Sequence, residues 1–404
     1  MPGNSSFVSL LGAGASVEAG LLTSAKLTEK IYQDANNGLR QTPYARLLGY
    51  VISKLQVRNA KNGGSPYDSI EVEQLFDALA LLANRDTLLV SEFVERWDSS
   101  IDKDLSKYDG RAIQNAFDKI VSQAISVARS NRRSSFSTFS SDYERLAISL
   151  QPTNAFKGSR SRFIDPNQSF LNLLYDNLVV DVEKVSYLSS LVSDPLLSLL
   201  ATLNYDLSVE AACGLEQTKF DYGLGRWAIQ KRVDWTMPSA LRYLKLHGSI
   251  NWHGDIEDPV VKDDDNTYAA KRALIFGGTE NKLSSRGPFL QFLNKFERAL
   301  LQSKILLVVG YSFRDTHINS IIKRWQLTRR DTQMVVVDPS PPNLHQLGYA
   351  DGEFKRTVGL KEIKYKSHIK VIKTIASVGI KTFVDNKGIG LWPQTEINEL
   401  FTRS

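Results

Sequence analysis

The apolar run Phe7-Val8-Ser9-Leu10-Leu11 passes directly into Gly12-Ala13-Gly14-Ala15-Ser16, and this junction constrains the fold more than any other stretch of the chain. A strand that meets two glycines and a helix start makes the kind of turn that holds a nucleotide phosphate. Glycine lets the backbone approach a pyrophosphate closely, and the N–H groups of a first helical turn carry partial positive charge toward its oxygens. Ser16 adds a hydroxyl donor. The usual dinucleotide fingerprint has a third glycine three residues after the second, where this chain has Val17, and an acid ending the second strand. A purely structural glycine turn is the competing reading.

Three further polar clusters sit where apolar runs end: Asn204-Tyr205-Asp206 after Leu197 to Leu203, His247-Gly248-Ser249 after Leu241 to Leu246, and Gly310-Tyr311-Ser312-Phe313-Arg314-Asp315 after Ile305 to Val309. Ligands of open α/β sheets bind beyond the carboxyl ends of the strands, so four such ends are expected to converge on one site. From about residue 196 onward, short apolar segments at 197–203, 241–246, 273–277, 305–309, 333–337 and 380–384 alternate with helical patterns at 286–302 and 314–327; a short helix is expected over 395–401. The fold class expected is α/β, a Rossmann-like parallel sheet with helices on both faces plus a mostly helical insertion. The first strand needs the C-terminal sheet for partners. Residues 1–24 and 196–404 are therefore expected to form one discontinuous nucleotide-binding domain, with 25–195 as the insertion.

Helical spacing recurs in that insertion at Ile70, Val72, Leu75, Phe76, Leu79 and Leu82, and at Leu88, Leu89, Phe93 and Trp97, which read as helix core. The stretch Ser130 to Phe163 is polar and broken by Pro152 and Gly158, and reads as a long loop. Arg129, Arg132, Arg133, Lys157, Arg160 and Arg162 crowd it, so nucleic acid is an alternative partner, though the nearby aromatics are not spaced as a base-stacking platform. The acids from Asp255 to Asp265 read as a surface loop.

The chain has 42% hydrophobic and 23% charged residues, an ordinary globular balance with material for a sizeable core. Its net charge of +6 is mild over 404 residues and implies no polyanion by itself. No apolar run reaches the roughly 18 residues needed to span a bilayer, and Phe7 enters a strand without a preceding signal-peptide pattern; a cytoplasmic protein with no membrane partner is expected. Cys213 is the single cysteine, which excludes an internal disulfide and any multi-cysteine zinc site, and no metal is expected.

Gly12-Ala13-Gly14-Ala15-Ser16, Thr202-Leu203-Asn204-Tyr205-Asp206, Leu246-His247-Gly248 and Gly310-Tyr311-Ser312 resemble, in type and order, the motifs of sirtuin-like proteins, in particular the bacterial sirtuin-like group of antiphage defence. Two departures separate the chain from protein-deacylating sirtuins. One cysteine cannot build their four-cysteine zinc module, and Val17 to Ser24 stands where their cofactor loop carries an Asp-Phe-Arg segment. The resemblance then implies an NAD+ hydrolase with NAD as substrate, releasing nicotinamide and ADP-ribose. It also implies gating, through a homo-oligomer and a separately encoded ATPase or sensor protein.

Nicotinamide is a cationic leaving group that becomes neutral as it departs, so no general acid is needed. The enzyme has to orient ribose, stabilise an oxocarbenium-like transition state and place water. Asn204 offers an amide donor and acceptor for ribose or water. His247 offers an imidazole that can take a proton near neutral pH. Asp206 can support the site charge or cap a helix. Gly12, Ala13, Gly14, Ala15 and Ser16, with Gly310 and Ser312, are the expected cofactor-binding residues. Asp338 follows Val335-Val336-Val337, where a ribose-binding acid would be useful. Arg314, Asp315 and His317 extend the Gly310 loop, with Asp315 also suited to capping a helix. His253, His345 and His368 read as structural. The alternatives to catalysis are a non-catalytic NAD or ADP-ribose sensing assembly module, and a DNA-binding or nuclease component of a defence complex, for which no acidic metal-binding pair is apparent.

Overall fold

The computed structural model describes residues 6–37, 43–61, 63, 65, 69–75, 78, 180–254, 256–261, 272–274, 287–328, 332–342 and 368–386. The helical pattern at 79–97, the basic stretch at 129–163, His345 and the helix expected at 395–401 lie outside these residues. The chain divides into two compact units, Met1–Thr23 with Leu178–Ser404, and Ser24–Asn177.

In the first unit the described strands are β1 (Phe7–Leu11), β2 (Leu197–Thr202), β3 (Phe220–Asp221), β4 (Leu241–Lys245), β5 (Gly248–His253), β6 (Val260–Val261), β7 (Arg272–Leu274), β8 (Ile305–Val309), β9 (Gln333–Val337) and β10 (His368–Ile372). Seven of them form one sheet in the order β10-β9-β8-β1-β2-β4-β3, and every pairing in it is parallel. β1 and β9 are buried along their whole length, as continuous apolar strands are when both faces of a parallel sheet are covered. This is a Rossmann-like α/β fold. From β1 the chain continues to β2 on one side, and from β8 to β9 on the other. The winding therefore reverses between β1 and β8, and the crevice at a reversal is where such sheets take ligands.

The covering helices use the period the sheet does not. In α4 (Phe289–Gln302), after α3 (Ser208–Leu215), the residues Phe289, Phe292, Leu293, Phe296 and Leu300 are buried at three- and four-residue intervals, and the helix packs on β2 and β4. Two more helices follow, α5 (Thr316–Thr328) and α6 (Ala376–Asn386). The strand expected at 380–384 is the middle of α6. Ile380, Thr382 and Val384 suggest a strand by propensity, yet the buried set Ala376, Gly379, Ile380 and Phe383 follows helical spacing, and packing decides. A Cβ on Gly379 would stand 2.1 Å from Val337 Cγ1, so glycine is what lets α6 approach β9.

The strand on the sheet's outer edge is instead His368–Ile372, beside β9. A second correction concerns residues 273–277: Arg272–Leu274 pairs antiparallel with β5 in a separate three-stranded sheet, β6-β5-β7, and takes no part in the parallel one. Within the acidic stretch, Val260–Val261 is a short strand on β5, and both valines are exposed.

Residues Val182–Leu188 form a 3-10 segment whose Val185 and Leu188 join the core of the first unit. The second unit is helical in its described residues, with α1 (Ser24–Asn37) and α2 (Pro43–Lys61). The Ser24 hydroxyl accepts the Val72 amide at 2.9 Å, and Leu48, Val51 and Leu55 form one buried face of α2. Among the described residues no helix is long and apolar enough to cross a membrane.

Candidate functional site

The turn after β1 and the turn after β8 nest into each other at the reversal point. The Gly12 amide donates to Val309 O at 2.9 Å and the Gly14 amide to Gly310 O at 2.8 Å. A Cβ on Gly12 would lie 2.6 Å from Gly310 O, and one on Gly14 would lie 2.7 Å from Gly310 Cα. Gly310 has φ +60, and its Cβ would fall 2.2 Å from Ala15 N. The three glycines are thus required by backbone against backbone. Because the amides of Gly12, Gly14 and Ala15 bond protein carbonyls, the corner these turns offer to solvent is the exposed Ala13. The expected helix start is a single 3-10 turn, Ala13–Ser16.

Asn204, just past β2, is tied to this turn. Its Nδ2 donates to Gly12 O and to Ser16 Oγ, both at 2.9 Å, and the Ser16 hydroxyl donates onward to Asp206 Oδ2 at 2.8 Å. The other oxygen, Asp206 Oδ1, accepts the Ser208 amide at the start of α3 at 2.9 Å. Asp206 therefore both steadies a helix end and anchors the hydroxyl that positions Asn204.

His247 follows β4 and is only 5% exposed. Its Nε2 lies 3.1 Å from Asp315 Oδ2, while Asp315 Oδ1 accepts the amides of His317 and Ile318, at 2.9 and 3.2 Å, at the head of α5. An ionised carboxylate only accepts, so Nε2 is the donor in this pair. β4 and β8 are separated by β2 and β1, a span of about 14 Å at ordinary strand spacing. Contact between their loops means that both reach inward over the ends of β1 and β2, where the glycine turn and Asn204 sit. The Tyr205 and His247 rings, 6.3 Å apart, bring the loops after β2 and β4 together.

The Gly310 loop is itself held in an uncommon shape. Phe313 has φ +56, which a bulky side chain rarely adopts. Asn319 Nδ2 donates to Phe313 O at 2.6 Å, and the Tyr311 hydroxyl lies 3.0 Å from Asn319 Oδ1. Such strain persists only where neighbours enforce it.

Ser312 is exposed on this loop. Asp338 stands past β9, its Oδ1 accepting the Ser340 amide at 2.7 Å, and burial holds its carboxyl above the ordinary range despite that bond. Among the described contacts neither residue joins the Asn204, Ser16 and Asp206 chain. His253 is buried in β5.

Two supporting residues escaped the sequence reading. Lys245, fully buried in β4, donates from Nζ to Glu210 Oε1 at 3.0 Å, to Tyr205 O at 3.4 Å, and to Asp206 O. It fastens the backbone on which Asn204 and Asp206 stand. The Tyr187 hydroxyl donates to Ala15 O, and burial together with the charges of Asp206 and Glu18 pushes its pKa up. A lone lysine inside an apolar strand was the available signal for the first; nothing local marks the second.

Reversal-point glycine turns, an amide held beside them and an Asp–His pair thus meet at the switch point of a doubly wound α/β sheet. Residues 198–362 match the family model described as a SIR2-like domain. Among solved structures, the chain is similar to a Sir2 homologue mutant in complex with 2'-O-acetyl ADP ribose (12% identity, 96% of this chain and 94% of that one, TM-score 0.34). It is also similar to a Sir2 homologue mutant bound to ADP ribose (12%, 96% and 94%, TM-score 0.35). A third is a Sir2 complex with a peptide and NAD+ (11%, 58% and 87%, TM-score 0.31). A comparison with curated proteins returned no match.

Proposed function

We propose that the protein is an NAD+ glycohydrolase. The observation that carries this reading is the hydrogen-bonded chain from Gly12 through Asn204 and Ser16 to Asp206, with the His247–Asp315 pair on the neighbouring loops. The SIR2-like match over residues 198–362 favours the same chemistry. The dinucleotide lies over the corner at Ala13, with Gly12, Gly14, Ala15 and Ser16 on one side and Gly310 and Ser312 on the other. Asp338 supplies a ribose acceptor.

When the glycosidic bond breaks, its electron pair passes to the pyridinium nitrogen, and nicotinamide leaves neutral. The positive charge left on the ribose ring is stabilised by the carbonyl dipole of Asn204 and the carboxylate of Asp206. Water then attacks the anomeric carbon, and its proton is taken by Nδ1 of His247, whose orientation Asp315 maintains. The products are nicotinamide, ADP-ribose and a proton.

Unrestrained, this reaction would exhaust a cell's cofactor, so the activity is gated. We place the protein in antiphage defence, as a homo-oligomer working with a separately encoded ATPase or sensor. Incubation with NAD+, with and without candidate activators, tests the core of the reading. Wild type releases nicotinamide, and Asn204→Ala and His247→Ala lower the rate by about 10²–10⁴-fold. Equal turnover in these variants refutes the assigned roles.

A further inference from the structure

A cavity opens at the end of the sheet opposite the glycine turns. It has a volume of about 230 Å³ and lies where β2 and β4 begin, against α4, lined among others by Ser198, Trp235, Arg242, Lys295, Arg298 and Gln302. The Arg242 guanidinium carbon lies 5.1 Å from the Trp235 ring centroid, and Lys295 Nζ lies 4.8 Å from the same centroid. Both are within cation–π range, which holds two like charges beside one ring despite their repulsion. Arg298 adds a third cation. Among the described residues no carboxylate lines the cavity, and none of the three cations is paired with one: Asp234, next to Trp235, is engaged with Arg226 and Arg232, and Glu297, next to Arg298, with Arg324.

We propose that this cavity binds a small phosphate-bearing anion. Two guanidinium forks and an ammonium supply charge-assisted donors, the Gln302 amide is a further donor, and guanidinium geometry suits phosphate oxygens. The volume chooses among phosphate ligands. It falls below the roughly 300–1,000 Å³ typical of sites for larger organic ligands, so a dinucleotide is too big, whereas pyrophosphate or a short phosphomonoester fits. Ser198 lies at the start of β2 and Asn204 just past its end, about 20 Å apart at strand rise. Occupancy here leaves the nucleotide crevice open, and this assignment stands independently of the hydrolase reading.

The test is calorimetric titration of the full chain with inorganic pyrophosphate and, separately, glycerol 3-phosphate. The proteins compared are wild type, the triple variant Arg242→Gln, Lys295→Gln and Arg298→Gln, and Asn204→Ala. Wild type and Asn204→Ala bind at one such site, and the triple variant binds at least tenfold more weakly while keeping its melting temperature. Tighter binding of one probe identifies inorganic or organic phosphate as the source. Undiminished binding by the triple variant, or no saturable binding of either probe to wild type at millimolar concentration, overturns the proposal. So does a single-stranded oligonucleotide that binds through these three residues when neither probe does.

Discussion

Replacing Lys245 by methionine is the most informative single perturbation of the site's foundation. The side chain is fully buried, and its ammonium serves the Glu210 carboxylate and the main-chain oxygens of Tyr205 and Asp206. Methionine matches the stem but donates nothing. Breaking a buried pair on one side costs about 3–5 kcal/mol, because the remaining charge is stranded. Here the tyrosines soften that loss: Tyr222 donates to Glu210 Oε1 at 2.7 Å and Tyr243 approaches Oε2 at 3.3 Å, which favours the lower end, about 3 kcal/mol. The Asp206 carbonyl, left without its charged donor, adds about 1 kcal/mol. A total near 4 kcal/mol is a large fraction of a domain's ~5–15 kcal/mol. At about 2–4 °C per kcal/mol in a domain of this size, Lys245→Met should melt about 8–16 °C below wild type. Thermal and urea unfolding measure this, and adding Glu210→Gln to the Lys245→Met variant should recover about 2 kcal/mol, since no charge is then stranded. A melting temperature within about 2 °C of wild type, or additive effects of the two substitutions, would refute the reasoning.

Gly310→Ala places a methyl 2.2 Å from Ala15 N at φ +60, where only backbone could yield, so it should cost more than about 3 kcal/mol, whereas Gly63→Ala, at φ +91 with nothing within 4 Å, should cost only the backbone strain of about 1–2 kcal/mol; comparable losses in denaturant melts would contradict the nesting of the two turns. Because burial raises the Asp338 pKa, the folded chain binds more protons than the unfolded one between the ordinary carboxyl value and the raised one, and stability falls as pH climbs through that window. Asp338→Asn should therefore gain a few tenths of a kcal/mol at pH 7, discounted for partial exposure, and nothing at pH 3, while weakening NAD+ binding if the carboxylate holds ribose; a gain that persists at pH 3 would rule out the linkage.

The central strands were legible because each is an apolar run ended by polar punctuation, and β1, β2, β4, β8 and β9 lie where those runs predict. The reading failed where burial follows another period. Residues 376–386 hide helical spacing under β-branched residues, and in the edge strand His368–Ile372 the residues Ile369, Lys370 and Val371 are only partly buried. At the site, Asp315 was legible as a helix cap from its position before α5. Its second bond, to a histidine 68 residues away, is a tertiary fact that no local pattern encodes. Lys245 was concealed because an apolar strand is read as a whole, although a lysine within one implies an acid close by; that acid is Glu210, in α3.

Asp315 has one further consequence. One of its oxygens belongs to the first turn of α5 and the other to the imidazole, so the helix and the ring are coupled through a single planar group with almost no slack. A partner that twisted α5 by a few degrees would tilt the ring and change where its open nitrogen aims. In the proposed hydrolase, that linkage would let assembly throttle turnover without any displacement of the sheet.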